Sequence, residues 1–233
     1  GASPRSEPDL VTIQSGLTGG RTNGGPIMMM VATKDVDSSW YDRNRGLLRP
    51  SHADYTAFVK YGGFHDQRGG GFFSGRMTAA MVMGGAVAKK LLAINGVDVV
   101  AHLVQAGSAI ARANIPDAVL KKNLKESPIW CADLEASAAM VKEIEDARLH
   151  GDSVGGVVEC RVRGLPPGVG EPIFDSVESI ISHGLFSIPA VKGVEFGSGF
   201  AAAGMTGSKH NDQLAIKGRK IIMLSNNSGG ISG

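Results

Sequence analysis

Three consecutive glycines, Gly69-Gly70-Gly71, restrict the fold of this chain more than any other feature. Glycine adopts positive φ at little cost and lets the backbone approach a ligand closely. An alanine-rich helical pattern follows from Ser74 to Leu92, and a helix beginning there presents unpaired N–H groups to an anion. A glycine triplet before a helix is also a common form of simple turn. The residues around it therefore decide between a turn and a binding site.

Charged residues surround the glycines. Arg49, Arg68 and Arg76 lie within thirty residues of one another and can fork onto phosphate or carboxylate oxygens. Histidine is the side-chain type here whose charge changes near neutral pH, which makes His52 the candidate proton donor or acceptor. Asp66 next to Arg68 is also explained by a simple ion pair. The convergence of these groups predicts a binding site for a small anion.

Composition limits the class of protein. The chain has 233 residues, 42% of them hydrophobic, which is enough for a substantial core and predicts one domain. A net charge of +2 without a basic stripe does not predict nucleic-acid binding. The longest apolar run, residues 26–32, is shorter than the ~20 residues of a membrane helix, so no membrane partner is expected.

The two cysteines exclude further classes of site. Cys131 and Cys160 are far apart and belong to no CxxC or His-containing spacing, so neither a metal site nor a disulfide framework is predicted. Free cysteines fit a reducing compartment, and we expect a cytoplasmic protein.

Hydrophobic periodicity predicts alternating strands and helices. Strands are predicted at residues 10–14 and 26–33 across a glycine-rich turn, and also at 97–104, 157–162, 191–196 and 221–224. Helices are predicted at residues 74–92, from a cap at Asp133 to near Gly151, and at 175–186, with residues 38–48 as a loop.

The first helix carries an apolar stripe of Met83, Val87 and Leu91 and is expected to stop at Asn95-Gly96. Its methionines Met77, Met81 and Met83 are predicted in the core, with a close packing contact at Gly84-Gly85.

Helices interspersed with hairpin-like strand pairs predict an α+β layered fold. A Rossmann fold is the competitor. The glycine triplet follows no hydrophobic strand, however, and the chain contains no GxxxxGK[ST] phosphate loop.

Several motifs together resemble the chorismate synthase family. In the family's order the chain reads RPSHAD, KYGGFHDQRGGG, SGRMTA, GDSVGGVVEC, GLPPGVGEPIFD, SIPAVKGVEFGSGF, GSKHND and NNSGGI. Two departures occur: many members have RPGHAD where Ser51 stands, and GRSSARET in place of residues 71–78. The second departure puts individual flavin contacts in question rather than the family.

The resemblance implies a β-α-β sandwich of antiparallel sheets with helices, assembled as a homotetramer. It implies a carbon–oxygen lyase acting on phosphates in the shikimate pathway to aromatic amino acids. Such enzymes convert 5-enolpyruvylshikimate 3-phosphate to chorismate by anti-1,4-elimination and need reduced FMN. The flavin is reduced either by the enzyme itself, with NADPH, or by an outside reductase.

The resemblance also assigns roles to residues. His52 would be catalytic, holding a proton at the flavin or the departing phosphate, and Arg49 and Arg76 would bind substrate. Flavin contacts, mostly through backbone amides, would fall on Phe72, Phe73, Ser74, Pro189 and Ala190. Lys192, Asn211, Asp212 and Asn226 lie in motif-like surroundings and fit a structural role equally well.

By the family's pattern, an N-terminal GxSHG segment and the C-terminal third have no counterpart here. We therefore expect a single domain, residues 1–233, that is incomplete at both ends. The alternatives are a non-catalytic fragment or flavin/anion-binding module that retains the core of the fold, and an unrelated Rossmann-type nucleotide binder.

Overall fold

A computed structural model describes residues 7–232. Its helices are α1 (Ser39–Arg43), α2 (Asp54–Tyr61), α3 (Thr78–Ile94), α4 (Asp117–Asn123), α5 (Leu134–Leu149), α6 (Val177–Phe186) and α7 (Gly207–His210). Its strands are β1 (Val11–Ser15), β2 (Leu17–Thr18), β3 (Arg21–Thr22), β4 (Met28–Val31), β5 (Asp98–Ala106), β6 (Ala109–Ile110), β7 (Gly156–Arg163), β8 (Leu214–Lys217) and β9 (Lys220–Met223). Turns of 3₁₀ helix cover Arg68–Phe73, Gly75–Met77 and Gly199–Gly204.

The described chain divides into two compact units. The first contains residues 7–36 and 83–165, and the second contains residues 37–82 and 166–232. The prediction of a single domain stays a prediction.

Antiparallel sheets form most of the first unit. Strand β1 pairs with β4 through Val11 opposite Val31 and Ile13 opposite Met29. The small β2–β3 hairpin fills the turn between them, so the predicted strand pair across a glycine-rich turn is confirmed. Strand β5 lies at the centre of a second sheet with the order β6-β5-β7.

The core of the first unit lies between this sheet and its helices. One buried cluster joins Ala106 of β5 to Cys131 and to Met140 of α5. A second cluster packs Leu120 of α4 against Ala132. Helix α4 was not predicted, because residues 105–132 show little hydrophobic periodicity.

Helix α5 begins where its sequence predicts. The carboxylate of Asp133 accepts hydrogen bonds from the backbone N–H groups of Glu135 and Ala136. The end of α3 also matches, since Gly96 has φ 75° and the N–H of Val97 donates to the carbonyl of Leu92 at 2.9 Å.

The second unit consists of short helices, turns and the β8–β9 hairpin. Two predictions are wrong here. Residues 39–43 form helix α1 rather than a loop. Residues 191–196 form no strand; the chain after them is held to a distant loop by the N–H of Ser198, which donates to the carbonyl of Asn227 at 2.7 Å.

Helix α3 is more exposed than its composition suggests. Met77 and Met81 are more than two-fifths exposed, which contradicts their predicted core position, while Met83 is half-buried. A Cβ at Gly84 or Gly85 would meet nothing within 4 Å in the described structure, so the predicted close contact is wrong as well. Alanine-rich amphipathic patterns do not by themselves show what covers a helix.

By length and composition alone, this helix could cross a membrane. Among the described residues it is the one such segment, Gly75–Ile94, with 20 residues and a mean hydropathy of 1.4. The prediction from residues 26–32 overlooked it because Lys89 and Lys90 interrupt the apolar run. A single helix of this kind is weak evidence for a membrane span, since core helices of soluble proteins share these properties.

Candidate functional site

The predicted substrate residues lie in the second unit around the turn that precedes α2. Ser51 has φ 59°, which reverses the chain, and the N–H of His52 donates to the carbonyl of Arg49 at 3.3 Å. A left-handed conformation at a serine is uncommon, and glycine adopts it at less cost. The turn sets the start of α2 directly behind Arg49.

Asp54, the first residue of α2, clamps Arg49. Its carboxylate accepts from Arg49 Nε at 2.8 Å, from Nη2 at 2.9 Å and from the backbone N–H at 3.0 Å. Both side chains are largely shielded from solvent, with 25% and 18% of their surfaces exposed. The bonds from the Arg49 side chain lower the pKa of Asp54 to about 2. This bidentate pair fixes the plane of the guanidinium.

The Tyr41 ring holds the same guanidinium from another side. Arg49 Cζ lies 5.4 Å from the ring centroid, within the range of a cation–π contact. Asp54 uses the Nε and Nη2 edge, so Nη1 makes no hydrogen bond to this carboxylate. Sequence reasoning gave no role to Asp54 or Tyr41. The signal for Asp54 was its place in the first turn of a helix, five residues after Arg49.

Arg76 reaches the glycine triplet from the following helical turn. Its backbone N–H and its Nε each donate to Ser74 Oγ at 3.2 Å. A Cβ at Gly69 would lie 2.8 Å from Arg76 Nη2, and one at Gly70 would lie 3.9 Å from Arg49 Nη2. The two predicted substrate arginines therefore border the same glycine backbone.

The triplet needs glycine for its conformation as well as for this approach. Gly71 has φ 51° and ψ −132°, a combination in which side chains are strained, and a Cβ there would collide with the carbonyl oxygen of Asp66. The segment that carries Asp66 therefore packs directly against the loop that carries the predicted flavin contacts. Asp66 also pairs with Arg68 through an Nε–Oδ1 contact of 3.0 Å, which confirms the simple ion pair.

His52 is exposed and oriented by its own turn. Its Nδ1 lies 3.1 Å from the carbonyl oxygen of Pro50. A carbonyl only accepts, so Nδ1 carries the hydrogen in this bond and Nε2 is the nitrogen that can exchange a proton with a ligand. The structure thus places a proton-carrying group in the same turn as the clamped Arg49.

The predicted flavin contacts fall into two separate turns. Phe72 and Phe73 follow the glycines, and the Phe72 ring is 88% exposed. Pro189 and Ala190 lie in the turn after α6, where Ala190 has φ 71°. No hydrogen bond joins this turn to residues 72–74 within the described residues. These predictions are not tested by the protein alone.

Asp212 has a structural role. Its carboxylate accepts from Ser225 Oγ at 2.5 Å and from the N–H groups of Asn227 and Ser228 at 2.7 and 2.8 Å. These bonds, led by that of Ser225, lower the pKa of Asp212 to about 2. The residue organises the loop after β9. Within residues 7–232, no group of three or more His, Cys, Asp or Glu side chains could hold a metal ion.

Comparison with known proteins places this chain in a family. The sequence model of the family described as Chorismate synthase matches residues 1–233. A chorismate synthase of Dehalococcoides mccartyi is 46% identical over 233 residues, covering 100% of this chain and 64% of that protein. One of Methanococcoides burtonii is 48% identical over 232 residues, covering 100% of this chain and 63% of that protein.

A solved structure agrees with these sequences. The crystal structure of a chorismate synthase matches with a TM-score of 0.82 and 29% identity, covering 97% of this chain and 67% of that chain. The likeness confirms both the predicted resemblance and the predicted α+β fold. The chain spans about 64% of the length of the curated relatives it matches.

Proposed function

This chain belongs to the chorismate synthase family, and on that premise we propose that its protein catalyses the anti-1,4-elimination of phosphate from 5-enolpyruvylshikimate 3-phosphate. The product is chorismate, and the reaction requires reduced FMN. The observation that carries the proposal is the pair of guanidinium groups, Arg49 and Arg76, that approach Gly69-Gly70, with His52 in the turn that follows Arg49.

Charge is the first reason for this assignment. The substrate carries a phosphate and two carboxylates, and burying such an anion requires cationic partners. Arg49 supplies an oriented guanidinium whose net charge Asp54 balances. Arg76 forms no ion pair with any carboxylate of the described residues, so its positive charge remains available to a phosphate.

Proton transfer is the second reason. Nδ1 of His52 is engaged by Pro50, which leaves Nε2 facing solvent. In the protonated form this nitrogen donates to an oxygen of the departing phosphate, and in the neutral form it accepts a proton. General acid–base groups of this kind accelerate reactions by about 10² to 10⁴ fold.

The residues after the triplet fit a flavin. The exposed Phe72 ring and the half-exposed Phe73 ring offer flat apolar surface, and the two arginines offer charge to an anionic cofactor. Reduced FMN, when bound, would supply electron density to the elimination transiently and regain it, so that no net oxidation or reduction occurs. Phe72, Phe73 and Ser74 would hold it, together with the turn at Pro189 and Ala190.

We propose further that the protein is a cytoplasmic homotetramer and that NADPH can serve as the flavin reductant. Light scattering on the purified full-length protein measures the oligomeric state. Loss of the nicotinamide absorbance of NADPH, in the presence of the protein and FMN, measures whether NADPH reduces the flavin.

The decisive experiment is anaerobic turnover by the full-length protein. Substrate and reduced FMN should yield chorismate and inorganic phosphate in equal amounts, and oxidised FMN should yield neither. The alternative, a non-catalytic flavin- or anion-binding core, predicts FMN binding without phosphate release. A verified full-length protein that binds FMN and releases no phosphate would establish that alternative.

A further inference from the structure

The second unit contains a polar cavity in addition to the site described above. It has a volume of about 340 Å³ and lies between Tyr41, Asp42 and Arg45 on one side and the segment 64–68 on the other. Arg49, Arg76, His52 and the predicted flavin residues do not line it, whereas Arg68 and Tyr41 do. Its volume is within the range of small-molecule sites, about 300 to 1,000 Å³.

The charges around this cavity are not all paired. Asp66 and Arg68 neutralise each other through two side-chain contacts of 3.0 and 3.2 Å. Arg45 and Asp42 form no ion pair and no side-chain hydrogen bond with the described residues. The cavity therefore presents one cation, Arg45, and one anion, Asp42, that form no ion-pair contact, and the charge of Asp42 also acts on Arg68.

His65 adds an unsatisfied polar atom. Its Nδ1 is shielded from solvent and has no hydrogen-bond partner in the described structure. A shielded polar nitrogen without a partner is costly in the folded protein. The Phe64 ring beside it is 95% exposed and gains from being covered by an apolar group.

We propose that this cavity binds a zwitterionic small molecule, an α-amino acid with an apolar side chain. The carboxylate pairs with Arg45 and the ammonium with Asp42, beside the His65 side chain that lines the same cavity. The apolar side chain covers Phe64. A dianion fits less well, because the four charged side chains around the cavity sum to zero.

The cavity has a physical connection to the candidate site. Tyr41 lines the cavity and also contacts the guanidinium of Arg49. Asp66 lines the cavity with its side chain, while its carbonyl packs against Gly71. Binding itself is independent of the proposed catalysis, so its test needs no turnover.

The test is a calorimetric titration of the full-length protein with L-phenylalanine. Two analogues each lack one charge: 3-phenylpropionate has no ammonium, and 2-phenylethylamine has no carboxylate. Because a hydrogen bond to a charged group contributes about 1.5 to 3 kcal/mol, each analogue should bind at least about tenfold more weakly. Arg45→Gln and Asp42→Asn should each weaken L-phenylalanine binding by a similar factor.

Arg43→Gln is the matched control, because Arg43 ends α1 two residues before Arg45, bonds to Ser39 and does not line the cavity. Circular dichroism checks that the variants fold. The proposal fails if L-phenylalanine shows no saturable binding up to about ten millimolar. Equal binding of the three compounds, or equal loss in Arg43→Gln and Arg45→Gln, also overturns it. Saturable phosphate binding that Arg45→Gln removes would identify an anion site instead.

Discussion

At the scale of single residues, Arg49 and Arg76 are not equivalent. Asp54 and Tyr41 hold Arg49 in one plane, whereas Arg76 contacts only neutral oxygen through Ser74. The oriented guanidinium of Arg49 suits a ligand group whose position must be fixed. The guanidinium of Arg76, whose charge no carboxylate balances among the described residues, suits the ligand group with the most negative charge. Asp54 thus determines the direction of Arg49 without touching the ligand.

Asp54→Asn tests this positioning role. The variant keeps the size of the side chain but loses the charged clamp, so Arg49 should adopt several orientations. Misplacement of a binding group by about 1 Å costs up to about 100-fold in rate, and we expect kcat/KM to fall by about 10- to 100-fold. Steady-state kinetics with reduced FMN measures the change. Asp37→Asn, an exposed carboxylate of the same unit, should leave kcat/KM unchanged; equal losses in both variants would refute the role.

Asp54 also makes stability depend on pH. Its pKa falls from 3.8 to about 2 on folding, mainly through the Arg49 hydrogen bonds, so folding favours the ionised form. The resulting stabilisation is complete above about pH 4 and is lost as the pH falls through 2. A shift of this size corresponds to about 2 kcal/mol for this largely shielded group. Urea unfolding at pH 6 and pH 3 should show about half of this loss in the natural protein, and a smaller loss in Asp54→Asn.

His52→Ala tests the proton role. Turnover should fall by about 10² to 10⁴ fold, because the general acid–base group is removed. Since His52 is exposed, the free energy of unfolding should change by less than about 0.5 kcal/mol. His150→Ala is the matched control, because His150 is also exposed and its Nδ1 also bonds to a backbone carbonyl, that of Asp146 at 2.7 Å. Near-normal turnover of His52→Ala would exclude the proton role.

At the scale of elements, the sequence predicts best where the pattern is local. The cap at Asp133 and the stop at Gly96 are each decided within a few residues, and the structure confirms both. The strand predicted at residues 157–162 is also confirmed, but its more shielded side chains are Glu159 and Arg161 rather than the alternating apolar residues. The strand predicted at residues 191–196 is wrong because alternation gives no information about a pairing partner. The backbone just after this segment is held instead by a loop 29 residues later in the chain, through the hydrogen bond from Ser198 N–H to the carbonyl of Asn227.

The candidate site shows the same division. The motifs predicted Arg49, His52 and Arg76, and the structure places the two arginines beside one glycine triplet. The cation–π contact from Tyr41 could not be predicted, because a ring eight residues away in sequence has no fixed direction until α1 forms.

Gly71→Ala tests the close approach in the triplet. The new Cβ would collide with the carbonyl of Asp66 and force a strained backbone, at a cost of about 1 to 3 kcal/mol. We expect FMN affinity to fall by at least about tenfold. Gly84→Ala in α3 is the control: its Cβ meets nothing, and helix propensity should raise stability by up to about 1 kcal/mol. Unchanged FMN binding in Gly71→Ala would separate this loop from the flavin.

At the scale of the whole molecule, burial is unequal between the two units. Both buried clusters belong to the first unit, around β5 and α5. In the second unit Ala57 is the one buried residue among those described. Hydrogen bonds and ion pairs such as Arg49–Asp54 therefore maintain the second unit, and such interactions are weaker than a packed core. The unit that carries the candidate site should open locally at low cost.

Hydrogen exchange on the full-length protein measures this difference. Without ligands, the amides of β5, β7 and α5 should exchange slowest, and those of residues 49–76 should exchange much faster. Saturation with reduced FMN and substrate at about 100 times the Kd should add about 2.7 kcal/mol to the opening free energy of residues 49–76. Inorganic phosphate alone, which engages only the arginines, should protect the same residues less. If the ligands slow β5 and leave residues 49–76 unchanged, the site has been assigned to the wrong unit, because only a ligand held by this segment stabilises it against opening.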